Sequence, residues 1–209
     1  MPRIEPFENH FLEYENWFEK NKFVYKSELS AVRFLLPKSE EGLEIGVGSG
    51  RFAAPLGIKL GVEPSQKMAR IAIKNGIKVI KGVAEELPFY DEQFDFALMV
   101  TTICFVDDVR KAFEEAYRIL KQHGVIIVGF VDKESIVGRE YEAHKSESIF
   151  YKTATFYSTN RVVSILKEVG FKNFHFVQTV FHSLNEVKDV EEIRNGYGKG
   201  SFVVIRAKK

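Results

Sequence analysis

Cysteine is nearly missing from this chain: Cys104 is the one copy in 209 residues. A lone cysteine excludes an internal disulfide framework and suits a reducing compartment. Charge excess is missing too. Thirty Lys and Arg against 29 Asp and Glu leave a net charge of +1, so nothing calls for a nucleic-acid backbone or an anionic membrane as partner. No apolar run approaches the length of a membrane span, GVIIVGFV at 124–131 being typical of the longest. The amino end, MPRIEPFENHF, is acidic and polar and lacks the apolar stretch of a signal segment. A cytoplasmic protein is therefore expected. Repeats, low-complexity tracts and Gly/Ser linkers are also missing, which argues against two independent domains. The five histidines, at 10, 123, 144, 175 and 182, show no metal-ligand spacing, and no metal site is expected.

What is present is a change of rhythm. Apolar residues at helical spacing fill 8–20 (Phe11, Tyr14, Phe18) and 23–36 (Leu29, Val32, Phe34, Leu36), and Pro37 stops the second helix. From Gly42 onward short β-rich runs take over, at 43–46, 59–63, 77–80, 94–100, 124–130, 173–181 and 201–207. Helical stretches lie between them at 51–58, 65–75, 107–121 and 158–169, the last opening on Ser158 and Thr159 and closing at Gly170. Runs that are apolar throughout, alternating with helices, predict a parallel sheet covered on both faces. The last two runs lack a helix between them and read as an antiparallel pair. The expectation is an α/β fold: a doubly wound, seven-stranded, mostly parallel Rossmann-like sheet with an antiparallel final strand. It forms one domain over 1–209, with N-terminal helices (1–37), a core (42–131), a lid-like insertion (132–157) and a C-terminal helix and strands (158–209).

LEIGVGSGRF (43–52) places Gly46, Gly48 and Gly50 where the first of those strands should end. Glycines between a first strand and a first helix let a ligand approach the backbone closely. A dinucleotide-binding turn would have glycine or alanine at 51, and that residue is Arg51. No P-loop is present; Gly196, Gly198, Lys199 and Gly200 precede a strand and read as a loose turn. GVEPS (61–65) ends the second strand with Glu63, a carboxylate placed to accept from two ribose hydroxyls. GVAEELPF (82–89) offers backbone to an adenine edge, with Leu87 and Phe89 as apolar packing.

These motifs, followed by FDFALMVTTICFV (94–106) and EEAYRILKQHG (114–124), come in an order that resembles the class I S-adenosylmethionine-dependent methyltransferases. The likeness is to the branch of small single-domain enzymes that includes ubiquinone-biosynthesis methyltransferases. It covers about residues 42–131 and continues more weakly through STNRVVSILKEVGFKNF (158–174) and the final strand. The resemblance implies S-adenosyl-L-methionine as cofactor. It implies that Glu44 holds the amino group of the methionine moiety and that Gly46, Gly48 and Gly50 admit that moiety and the ribose. Glu63 would accept from the ribose hydroxyls, Met68 and the Ala84 amide would border the adenine, and Thr101 and Thr102 would border the sulfonium. The chain departs from the family's pattern at Val83, where an aspartate commonly accepts from the adenine amino group; Glu85 is the substitute at hand. The helix after the glycines is short, with Pro55 and Gly57 inside it, and KQHG (121–124) replaces a Lys-Pro-Gly-Gly turn.

Methyl transfer from a sulfonium asks mainly for alignment and exclusion of water. A base is needed only if the acceptor must first lose a proton. TTICF (101–105) stands where enzymes acting on exocyclic amino groups of DNA carry Asp/Asn-Pro-Pro-Tyr/Phe, and no Pro-Cys pair is present. The expected acceptor is a small-molecule O, N or C atom, with no nucleic-acid or membrane partner. Two stretches could hold it. In YENWF (14–18), Tyr14 and Phe18 share a helix face with Trp17 beside them, and aromatic faces favour a cation. In the 132–157 insertion, Arg139, Tyr141, His144, Tyr151, Phe156 and Tyr157 suit a lid. His144, Tyr14 and Cys104 are the catalytic candidates, His144 the one base among them. The alternative is a non-catalytic scaffold that binds the same cofactor, kept open by Val83 and the want of an evident base. Arg51 argues against a nicotinamide-dependent oxidoreductase.

Overall fold

The computed structural model describes residues 4–39 and 41–209. Three helices open the chain: α1 (Glu5–Asn9), α2 (Phe11–Lys20) and α3 (Lys22–Leu35). The single helix expected over 8–20 is thus split. His10, at φ −126° and ψ 34°, leaves helical geometry while its amide still donates to the Pro6 carbonyl at 2.8 Å. Leu36, just before Pro37, is extended (ψ 131°), as the proline ring demands of the residue preceding it.

The strands are β1 (Gly42–Ile45), β2 (Leu60–Val62), β3 (Lys78–Ile80), β4 (Phe94–Val100), β5 (Leu120–Val131), β6 (Lys172–Thr179), β7 (Arg194–Asn195) and β8 (Phe202–Lys208). They form one sheet in the order β3-β2-β1-β4-β5-β8-β6-β7. The pairings among β1 to β5 are parallel. β8 slots between β5 and β6, antiparallel to both. The sheet has eight strands where seven were expected. The extra one, β7, is a two-residue polar strand on the edge, too short to show any alternation.

Alternate residues of the central strands face opposite sides, and both sides are apolar. In β4, Ala97 and Met99 join one core with Phe113, Ile126, Val128 and Phe171. Phe96, Leu98 and Val100 join another with Ala31, Val32, Ile127 and Phe202. That explains why these runs carry no polar alternation. On the first side lie α6 (Val109–Ile119) and α8 (Thr159–Val169); α3 covers the second. Ser158 caps α8, its Oγ accepting from the Arg161 amide at 3.3 Å, and Gly170 (φ 120°) ends it.

The remaining helices are α4 (Ala53–Leu56), α5 (Gln66–Lys74) and α7 (Ile136–Ala143). The helix expected over 51–58 shrinks to the four residues of α4, ended by Gly57 at φ 80°. KQHG is absorbed into β5, which begins straight after α6 and carries His123 at φ 71°. The 132–157 insertion folds as α7 and two short 3-10 turns, Lys145–Glu147 and Tyr151–Thr153. Strand order reverses beside β1, whose neighbours are β2 and β4; a crevice at the carboxyl ends of strands there is the usual place for a ligand.

Candidate active site

Beyond β1 the backbone turns sharply through Gly46 (φ 71°) and Gly48 (φ 54°). A Cβ on Gly46 would collide with the Thr102 side chain, and one on Gly48 would lie 3.6 Å from both Met68 Cε and Tyr14 Oη. Both glycines wall a crevice, together with Glu63, Met68, Ala84 and Thr101. Gly50 corrects the expectation. It does not line the crevice; at φ 85° its missing side chain leaves room for Ile77 and the Ala72 backbone, so it serves packing against the α5 end.

Two buried acids flank the turn. Glu63 is 7% exposed. Its Oε2 accepts from the Gly48 amide at 2.9 Å and its Oε1 from the Ser65 amide at 2.8 Å. Burial nevertheless pushes its carboxyl up to about 7. Glu44 is 2% exposed and its Oε2 has no hydrogen-bond partner. Burial holds its carboxyl well above the usual range, Glu63 adds to the shift, and a bond from the Ala53 backbone opposes it. Glu44 itself does not line the crevice. Among the described residues neither acid has an ion pair, and unneutralised buried carboxylates beside bare backbone suit a ligand carrying positive charge.

At the end of β4, Thr101 adopts φ 51°, an uncommon and strained conformation for a β-branched residue. It walls both the crevice and a second, small chamber whose other walls include Cys104, Phe130, Tyr141, Tyr151 and Phe156. Cys104 Sγ donates to the Thr101 carbonyl at 3.3 Å. Thr102 laces the ends of two strands, its hydroxyl 3.0 Å from the Val100 carbonyl and 3.2 Å from that of Ile45.

Aromatic rings close the site. Phe7 of α1 lines the crevice and lies 4.9 Å from Phe105, 5.7 Å from Tyr14 and 5.6 Å from Phe150, centroid to centroid. Tyr151 stacks on Phe105 at 6.0 Å and meets Tyr141 at 4.6 Å. The insertion therefore reaches over the site through Phe150 and Tyr151. Glu8 Oε1 accepts from the Lys67 amide at 3.3 Å, tying α1 to α5.

The expected residues divide accordingly. Gly46, Gly48, Glu63, Met68, Ala84, Glu85, Thr101 and Thr102 gather at the crevice, where Val83 presents an apolar side chain. Glu85 Oε1 is occupied by the Asp107 and Asp108 amides at 2.7 and 3.2 Å. Cys104, Tyr141 and Tyr151 gather at the chamber. Tyr14 faces the crevice instead, and burial raises its hydroxyl well above the ordinary value. Phe18 is core, 5.1 Å from both Tyr14 and Tyr25. Trp17 is half-buried and packs against the core on the α3 side. His144 and Arg139 stay at the surface: His144 is 73% exposed beside Glu147 at 3.6 Å, and Arg139 is exposed, donating to the Glu134 carbonyl at 2.5 Å. Arg51 pairs with Glu15 at 2.6 Å and accepts from Tyr25 through its carbonyl, clamping α2 and α3 to the glycine turn. Phe7, Phe105 and Phe150 were not legible as site residues, because each joins the others only in space.

Among the described residues no helix is long and apolar enough to cross a membrane. A family model described as "Methyltransferase domain" matches residues 43–128. A Thermotoga maritima crystal structure, described as a S-adenosylmethionine-dependent methyltransferase and possible histamine N-methyltransferase, is 56% identical, with a TM-score of 0.96 over 99% of each chain. A Methanocaldococcus jannaschii protein of uncharacterised role is 49% identical over 97% of this chain and 98% of its own length. The ubiquinone/menaquinone biosynthesis C-methyltransferase of Rickettsia prowazekii is 36% identical over 53% of this chain and 52% of its own.

Proposed function

Because the chain belongs to the S-adenosylmethionine-dependent methyltransferases, we propose that it methylates a small molecule lodged in the aromatic chamber beyond Thr101, at a nitrogen atom. The observation that carries this reading is the shared wall: Thr101 borders both the crevice and the chamber. When bound, S-adenosyl-L-methionine supplies a methyl group on a positively charged sulfur, open to in-line displacement. The chain's own residues then divide the work of holding and aligning. Gly46 and Gly48 admit the methionine moiety and ribose against bare backbone. Glu63 accepts from the ribose hydroxyls, and Met68 and the Ala84 amide border the adenine. Phe7, Phe105 and Phe150 exclude water, which serves alignment and suppresses hydrolysis.

Nitrogen is favoured on two grounds. A neutral amine needs no base to attack, and His144, the one base candidate, is exposed and away from both cavities. The Thermotoga maritima relative, described as a possible histamine N-methyltransferase, points the same way. A cytoplasmic setting accords with the balanced charge.

Glu63→Ala is expected to weaken S-adenosylhomocysteine binding by about 1–3 kcal/mol in calorimetry, through loss of charge-assisted hydrogen bonds. Unchanged affinity would remove the ribose from Glu63. Labelled methyl should pass from the cofactor to low-molecular-weight amines; failure with amines, alongside turnover of phenols or carbon acids, would reject nitrogen.

A further inference from the structure

Tyr14 of α2 carries a hydroxyl to which the steps above give no task. It lines the crevice, and its Oη lies 3.6 Å from where a Cβ on Gly48 would sit, so the bareness of that glycine keeps the space in front of it open. Among the described residues this hydroxyl donates no hydrogen bond, and burial holds its proton on far beyond neutral pH. The ring is fixed by Phe18 at 5.1 Å, Phe7 at 5.7 Å and Phe150 at 6.1 Å, centroid to centroid. Other side-chain donors are scarce. No lysine, arginine or histidine walls the crevice. The Thr102 hydroxyl is spent on the Val100 and Ile45 carbonyls, and Thr101 stands where the crevice meets the chamber.

We propose that the Tyr14 hydroxyl donates to the carboxylate of the cofactor's methionine moiety and so holds that end of the cofactor against the Gly48 turn. The proposal rests on the reading of the crevice as the S-adenosylmethionine site. That cofactor carries two positive centres, a ribose and one carboxylate. Glu63, which can only accept when ionised, serves the ribose hydroxyls, and the unneutralised acids beside the turn suit the positive centres. The carboxylate alone asks for a side-chain donor. Glu63 Oε2 is bonded to the amide of the same glycine that Tyr14 faces, at 2.9 Å. A lysine or arginine in the place of Tyr14 would therefore pair with Glu63 and take it from the ribose, whereas a phenol supplies a directional donor without charge.

Calorimetry on the full-length protein compares S-adenosylhomocysteine with S-adenosyl-3-thiopropylamine, the same molecule without its carboxylate. The wild type should bind the first more tightly. Tyr14→Phe keeps the ring and its aromatic neighbours, so the melting temperature should hold. Its affinity for S-adenosylhomocysteine should fall roughly tenfold or more, the size expected of a hydrogen bond to a charged group. Its affinity for the decarboxylated compound should stay at the wild-type value. Equal losses for the two compounds would assign the hydroxyl to the ribose and overturn the proposal, as would no loss for either. A wild type that binds both compounds equally would show that nothing in the crevice reads the carboxylate, and Tyr14 alone would be misassigned. A wild type that binds neither would overturn the reading of the crevice itself.

Discussion

Glu28, Glu44 and Glu63 are 4%, 2% and 7% exposed, and no arginine or lysine among the described residues pairs with any of them. Each therefore keeps its proton to higher pH in the folded chain than in the unfolded one. For Glu28 the folded value is about 8, and for Glu63 about 7, against an ordinary 4.5. Between those limits the folded chain binds more protons than the unfolded chain, so stability falls as pH rises. The advantage of the protonated acids is complete below about 4.5 and is lost as pH passes through 7 and 8. The melting temperature of the ligand-free protein should drop between pH 5 and pH 8. Glu28→Gln should flatten that slope by roughly 2–4 kcal/mol over the interval; an unaltered pH profile would show that Glu28 is solvated. Glu44 and Glu63 drew notice in the sequence because they sit in recognisable motifs. Glu28 lies in a helix of ordinary amphipathic pattern, and nothing local betrays that its side chain ends up buried.

At the scale of elements, the glycine turn does two jobs that its regular spacing conceals. Gly46 and Gly48 open onto the crevice, whereas Gly50 makes room for Ile77 and the end of α5. Gly50→Ala must both strain a φ of 85° and displace Ile77, and is expected to cost about 2–4 kcal/mol of stability. Urea unfolding measures it; a loss below half a kcal/mol would mean that α5 can shift freely. The strands β1 to β5 and the helices α5, α6 and α8 were legible because apolar periodicity and caps are local signals. The break at His10 was not, since the helix-spaced apolar set Phe11, Tyr14 and Phe18 begins only after it and says nothing of how the preceding turn joins on. The short strand β7 was hidden for the opposite reason: two polar residues at an edge have no pattern to show.

For the whole molecule, the sheet carries an apolar core on each face, and the two share the strands β4, β5 and β8. Neither core can be lost while the other persists, so a single unfolding transition is expected. Phe113, fully buried between α6 and the sheet, tests this. Phe113→Ala should lower stability by about 3–5 kcal/mol, with secondary structure on both faces melting together by circular dichroism and Trp17 fluorescence. Separate transitions would show that the α3 face, which Trp17 reports, folds independently. The insertion of β8 between β5 and β6 welds the C-terminal segment into this unit.

The alternation of strands and helices, the glycine turn and the acid at the end of β2 were determined by sequence alone, because each depends on residues within one or two turns of chain. Which glycine faces ligand, which aromatic rings close the site and which carboxyl is left without a partner were decided only by the tertiary structure. Phe7, Phe105 and Phe150 are far apart along the chain and meet because α1 and the insertion converge on the same strand ends. Dehydration of Glu28 likewise depends on what the fold stacks around it: burial is a property of the assembled neighbours, and no stretch of sequence carries it.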